Sequence, residues 1–261
     1  MIEALLALPF GLVIGSFLNV CIFRLPRDLS VVAPRSFCIE CEKTIGWRDL
    51  IPVLSFLLLG GKCRHCGHRI SWRYPTVELL TGALFFIAVW KFGLSLLAFK
   101  YCIFGAMLIA LIFTDIEERI LPDEFTIGGT FAGLIFSWFV LLPPGLVSFF
   151  SNTANSPKNS FLESMLGAVV PTLCMFSLGF LYQKIRKREG LGLGDVKMVA
   201  MIGSFLGLIQ GVLALMIGSI AGSVIGLIFM IANKKDMRSY ELPFGTFLGV
   251  GALAVALLGL Q

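Results

Sequence analysis

The sequence predicts an all-α polytopic membrane protein of about eight transmembrane helices, with a cytoplasmic loop that carries two cysteine pairs. Three observations lead there. Of the 261 residues, 57% are hydrophobic and 14% charged, and the mean hydropathy of +0.90 lies far from the soluble average. Apolar stretches long enough to span a bilayer recur along the whole chain. The polar segment after the first of them holds two Cys-x-x-Cys knuckles.

Taken in order, the apolar runs are read at 4–23, 76–93, 95–114, 124–142, 162–183, 197–212, 213–232 and 243–260. One long bent helix through Gly211 would give seven spans, but the length from Val196 to Ala232 favours two. The first run does not read as a removable signal peptide. It opens with Met1, Ile2 and Glu3, and its basic flank (Arg24, Arg27) follows the apolar core. That order puts the N-terminus outside and the next loop in the cytoplasm. Alternating from there, the cytoplasmic segments 24–75, 115–123, 184–196 (with Lys197 at its edge) and 233–242 hold 18 of the 21 Lys and Arg residues. Lys91, Lys100 and Lys158 fall to the other side. The pI near 8.9 thus reflects membrane orientation and contact with anionic lipid headgroups, and calls for no nucleic-acid partner.

The first cytoplasmic loop is expected to be a small zinc module. Cys38-Ile39-Glu40-Cys41 and Cys63-Arg64-His65-Cys66 are separated by 21 residues. Four thiolates in two knuckles match a closed, tetrahedral structural zinc site. A reducing cytosol disfavours disulfides there. A loop of this size cannot bury a large core, so a metal staple suits it. His65 and His68 read as surface groups or groups beside the ligands, and Cys21, Cys102 and Cys174 as small core residues.

Two acidic residues sit where a membrane protein least tolerates them. Asp115 ends the third run, in Thr114-Asp115-Ile116-Glu117-Glu118, and Asp195 opens the sixth, in Gly192-Leu193-Gly194-Asp195-Val196-Lys197. An ionisable group at the edge of a hydrocarbon slab points to function. Each has an ordinary alternative: Asp115 as a solvated loop carboxylate, Asp195 as a helix cap facing Lys197. Topology nevertheless brings both to the cytoplasmic ends of their helices. Two carboxylates converging on one water are the minimum equipment of an aspartic protease. Gly190, Gly192 and Gly194 clear side chains from the approach to Asp195.

The pair resembles the Gly-x-Gly-Asp class of membrane aspartic proteases, and within it the bacterial type IV prepilin peptidases. Matching segments run from Gly15-Ser16-Phe17-Leu18-Asn19-Val20-Cys21 through the cysteine pairs and Ile70-Ser71-Trp72-Arg73-Tyr74-Pro75-Thr76-Val77-Glu78 to Asp115…Leu121-Pro122-Asp123, Gly192 to Lys197 and Pro243-Phe244-Gly245. The family usually continues the last motif with Pro where this chain has Thr246, a departure not expected to affect catalysis. The resemblance implies Asp115 and Asp195 as catalytic, with Gly192, Gly194 and Lys197 supporting the catalytic loop. It implies cleavage of the short basic leader from type IV prepilins and type II pseudopilins. The cysteine loop implies the bifunctional form, which also methylates the new N-terminus with S-adenosylmethionine; no methyl-donor pocket is readable from motifs. Asp123, next to Pro122, reads as a cap of the fourth span. The expected organisation is a first transmembrane helix over 1–23, a zinc-binding loop domain over 24–75 and a peptidase core over 76–261. The segment from Pro143 to Ser160 reads as a mobile external loop.

Rival classes predict different behaviour. A transporter using the two aspartates as a proton relay predicts flux without cleavage. A peptidase lacking methyltransfer predicts an unmodified product. A zinc-bearing assembly factor would survive loss of either aspartate.

Overall fold

The computed structural model describes residues 1–151, 156–187, 191–233 and 243–258. Among them the protein is helical, with two isolated β-bridges and no strand. The chain divides into two compact units, Met1–Ala110 and Leu111–Gln261.

In the first unit, α1 (Ile2–Arg24) is followed by a loop containing the short α2 (Leu54–Leu58), then by α3 (Arg73–Phe92). Gly11 and Gly15 give α1 the small-x-x-x-small spacing that lets backbones approach closely in lipid. A Cβ at Gly15 would lie 2.7 Å from the Glu78 Cα of α3. Asn19, one turn further, joins the same helices by donating from Nδ2 to the Tyr74 carbonyl (3.0 Å) and the Gly15 carbonyl (3.3 Å). Arg24 then turns inward, bonding the carbonyls of Ser30 (2.8 Å) and Pro34 (2.7 Å). This buried guanidinium fixes the direction in which the loop leaves the helix.

Helix α4 (Leu96–Glu118) begins in the first unit and ends in the second. The second unit continues with α5 (Asp123–Phe139), α6 (Leu146–Ser151), α7 (Pro157–Arg186), α8 (Leu193–Leu206), α9 (Leu208–Asn233) and α10 (Phe244–Leu258). Helix α8 is its centre, packed against α5, α7, α9 and α10 and buried along most of its length from Val196 onward. Glycine sets the separation: a Cβ at Gly203 would overlap the Gly167 carbonyl of α7. Ser164 Oγ, beside this contact, donates to the Ser204 carbonyl at 2.6 Å.

Each of the eight apolar runs contains a helix, but among the described residues five helices (α1, α3, α4, α7 and α9) are long and apolar enough to cross a membrane. Helices α5, α8 and α10 have 17, 14 and 15 residues, short of the roughly 20 that a perpendicular span needs. The division expected at 212/213 lies instead at Gly207, whose φ of +82° suits glycine and ends α8. Lys100, assigned by topology to the far side, is enclosed within α4 at 1% exposure. The segment expected as a mobile loop contains α6, whose first amides, Leu146 N–H and Val147 N–H, donate to the buried Glu163 carboxylate (3.3 and 3.0 Å). Residues 188–190, including Gly190, and 234–242 lie outside the described residues.

Candidate active site and metal site

The acidic pair lies in the second unit. Asp115 is in the last turn of α4 and 5% exposed; Arg119, in the left-handed region at φ +57°, follows the end of that helix. Asp115 Oδ2 accepts two hydrogen bonds from one residue, the Thr246 N–H at 2.7 Å and the Thr246 hydroxyl at 2.8 Å. Thr246 is in the first turn of α10, where backbone N–H groups lack helical partners and the helix dipole favours negative charge. The carboxylate of α4 therefore satisfies an N-terminal amide of α10.

Asp195 lies in the first turn of α8 and is half-buried. The two aspartates are close enough for their charges to interact. Leu121 occupies the space that two glycines leave open. A Cβ at Gly194 would come 3.2 Å from Leu121 Cβ, and one at Gly245 would come 3.0 Å from Leu121 Cδ1 and 3.3 Å from Asp115 Cγ. Gly192 makes room for Asp195 itself, since a Cβ there would lie 3.2 Å from Asp195 Oδ2. Thus Leu121, Gly194 and Gly245, from three separate sequence motifs, pack around the acidic pair.

Asp123 has a different partner from the one expected. Pro122 is the N-cap of α5, with no side-chain cap bond. The Asp123 carboxylate instead takes Lys197 Nζ at 2.7 and 3.0 Å. Lys197 is thereby engaged with the start of α5.

In the first unit the four cysteines converge. The Sγ atoms of Cys38, Cys41, Cys63 and Cys66 all lie within 4.8 Å of one another, and Cys38 Sγ and Cys66 Sγ are 3.8 Å apart. A tetrahedral zinc with Zn–S near 2.3 Å has edges of about 3.8 Å, so the thiols fit a metal. They are free rather than disulfide-bonded. The knuckles repeat one scheme. Cys38 N–H bonds the Lys43 carbonyl (3.0 Å) and Glu42 N–H the Cys38 carbonyl (2.8 Å); Cys63 N–H bonds the His68 carbonyl (2.8 Å) and Gly67 N–H the Cys63 carbonyl (3.0 Å). Arg64 pairs through Nε and Nη2 with both oxygens of Asp49 and holds that carboxyl below its usual range.

Comparison with known proteins decides the family. Residues 9–92 match the bacterial peptidase A24 N-terminal domain and residues 102–230 the type IV leader peptidase family. The chain belongs to the type IV leader peptidase family. Similar relatives include a prepilin leader peptidase/N-methyltransferase of Myxococcus xanthus, 37% identical over 85% of this chain and 62% of that protein. A type 4 prepilin-like proteins leader peptide-processing enzyme of Escherichia coli is 35% identical over 95% of this chain and 91% of its own length. A prepilin leader peptidase/N-methyltransferase of Bacillus subtilis is 34% identical over 96% and 92%. The chain thus spans less than two thirds of the Myxococcus relative and nearly all of the other two. No solved structure matches it.

Several residues at or near these sites had no sequence signal. Thr246 lies 131 residues from its partner Asp115, and Leu121 stood in a matched motif with no role assigned to it.

Proposed function

We propose that this chain is a membrane aspartic endopeptidase that removes the short basic leader from type IV prepilins and type II pseudopilins, then N-methylates the exposed residue. The observation that carries the peptidase reading is the Asp115–Asp195 pair, with Asp115 bonded to Thr246 and Leu121 filling the space left by Gly194, the residue before Asp195, and by Gly245, beside Asp115. Family membership and the names of the relatives support the substrate class.

Two nearby carboxylates in a partly buried site cannot both ionise easily, so they share a proton and titrate as a unit. The ionised member takes a proton from a water, whose oxygen attacks the scissile carbonyl carbon. The protonated member gives its proton to the carbonyl oxygen. Collapse of the tetrahedral species breaks the C–N bond as the leaving amine is protonated. Both Thr246 bonds use Oδ2, which leaves Oδ1 of Asp115 as the oxygen available to the water or the shared proton. Gly192, Gly194 and Lys197 support this loop, Lys197 through its bond to Asp123.

Cys38, Cys41, Cys63 and Cys66 hold a structural zinc ion within the loop domain at 24–75. S-adenosylmethionine supplies the methyl group. The N-terminus lies outside, and the cysteine loop and the acidic pair lie on the cytoplasmic face of the bacterial inner membrane, a reading supported by the Lys and Arg distribution. A substrate with a basic cytoplasmic leader ahead of an apolar helix suits that position.

The test reconstitutes the protein in lipid with a prepilin and reads the product by intact mass. Wild type should lose the leader and gain one methyl group when the donor is present. Asp115→Asn and Asp195→Asn should each lower the cleavage rate about 10²–10⁴-fold, the range for a lost general acid or base. Cleavage surviving in either variant would remove that aspartate from the mechanism.

A further inference from the structure

The loop between α1 and α3 carries an apolar face that the described residues leave uncovered. Leu54, Leu57 and Leu58 of α2 recur at i, i+3 and i+4, on one side of that short helix. They are 49%, 66% and 77% exposed. The rest of the helix faces inward. Ser55 is buried, and the Phe56 ring lies 5.0 Å from that of Trp72 and against Gly61. Trp47, Ile51 and Trp72 are exposed as well, and the turn Trp47–Leu50 packs against α2. Single exposed apolar residues are ordinary, but a cluster of them in a polar loop marks an interaction surface.

The depth of this face identifies its partner. Helix α3 is long and apolar enough to cross a membrane, and α2 is fastened to its first two turns. Val53 N–H, at the start of α2, donates to Glu78 Oε2 at 2.7 Å, while Phe56 contacts Trp72, the N-cap of α3. These two anchor points are separated by about 9 Å of helix. Helix α2 therefore sits where a spanning helix enters lipid, the level at which tryptophans gather. Charge agrees with this placement. Residues 24–75 hold nine Lys and Arg against four Asp and Glu. Exposed Lys62 and Arg69 face one another across a β-bridge just after α2, and the Arg48 guanidinium lies 5.3 Å from the centre of the Trp47 ring. Cations around an apolar face at that depth suit anionic headgroups.

We propose that the Leu54–Leu57–Leu58 face, with Trp47 and Trp72 beside it, docks on an anionic bilayer surface. The leucines enter the boundary between headgroups and acyl chains, and Arg48, Lys62 and Arg69 lie among the headgroup phosphates. The cysteine loop is thereby held to the membrane at a third place, besides the ends of α1 and α3. This docking makes no use of the acidic pair, so it stands or falls separately from leader cleavage.

The test reconstitutes the zinc-loaded, full-length protein in vesicles of phosphatidylcholine and phosphatidylglycerol. The vesicles contain a lipid with a diazirine near the top of one acyl chain, and light-dependent adducts are mapped by peptide mass spectrometry. Exposed residues of the spanning helix α7, such as Leu173 and Phe176, serve as the lipid-facing standard. Adducts on residues 47–58 should come within about fivefold of that standard. Leu57→Gln with Leu58→Gln should lower adducts on Trp47 and Ile51 at least about fivefold, with zinc content and α7 adducts as in wild type. Wild-type adducts on 47–58 no higher than in the dark would overturn the docking, whatever the variant does. Adducts unchanged in a zinc-loaded double variant would overturn the role of the leucines. Labelling of this face by a prepilin with a diazirine in its apolar helix, in place of lipid, would assign the surface to the substrate and overturn the proposal.

Discussion

Thr246 donates twice to one oxygen of Asp115, through its N–H and its hydroxyl. Thr246→Val keeps the N–H and deletes the hydroxyl. A hydrogen bond to a charged group contributes roughly 1.5–3 kcal/mol, so turnover of a prepilin should fall about tenfold or more with KM little changed. A turnover equal to wild type would show that the hydroxyl does not position the carboxylate. Asp123 presents the opposite case. Its pair with Lys197 leaves the two side chains 55% and 39% exposed, and such pairs contribute about 0–1 kcal/mol. Asp123→Asn and Lys197→Met should each keep cleavage within about fivefold of wild type, far above the residual rate of Asp115→Asn, in the same mass assay.

At the level of elements, the second unit depends on backbone contact at Gly203. Any side chain there meets the Gly167 carbonyl, and overpacking a tight interface costs about 1–3 kcal/mol or more. Gly203→Val should lower the thermal midpoint of the protein in detergent and reduce cleavage, with Asp115 and Asp195 untouched. Gly128→Ala, where a Cβ meets nothing, serves as the control and should be near neutral. How legible the elements were in sequence follows from the kind of signal each carries. The apolar runs and the aspartates at their ends are local patterns, readable because lipid makes charge conspicuous. The cysteine cluster was equally readable, since its spacing is itself the geometry of a knuckle. The end of α8 was not. Gly207 and Gly211 look alike in sequence, and only the left-handed backbone at Gly207 separates them. Thr246 and Leu121 carry no local signal, because their roles arise from helices far apart along the chain.

For the whole molecule, the metal cluster belongs to one compact unit and the acidic pair to the other. The two activities should therefore part company when one unit is damaged. Cys38→Ser with Cys41→Ser should abolish zinc retention, because two of the four clustered thiols are lost, and methyl transfer with it. Leader cleavage should persist. Acidification acts in the same direction on the metal, since thiolates must be deprotonated to ligate it; zinc release followed by a colorimetric chelator should rise as pH falls. Equal loss of cleavage and zinc in the double variant would show that the second unit cannot stand without the first.

The Asp115–Thr246 bonds join positions 131 residues apart. A ribosome delivering this chain to the membrane makes Asp115 131 residues before Thr246. Until α10 arrives, Asp115 lacks the donors that orient it. The proposed catalytic carboxylate is thus oriented by a segment made 131 residues after it.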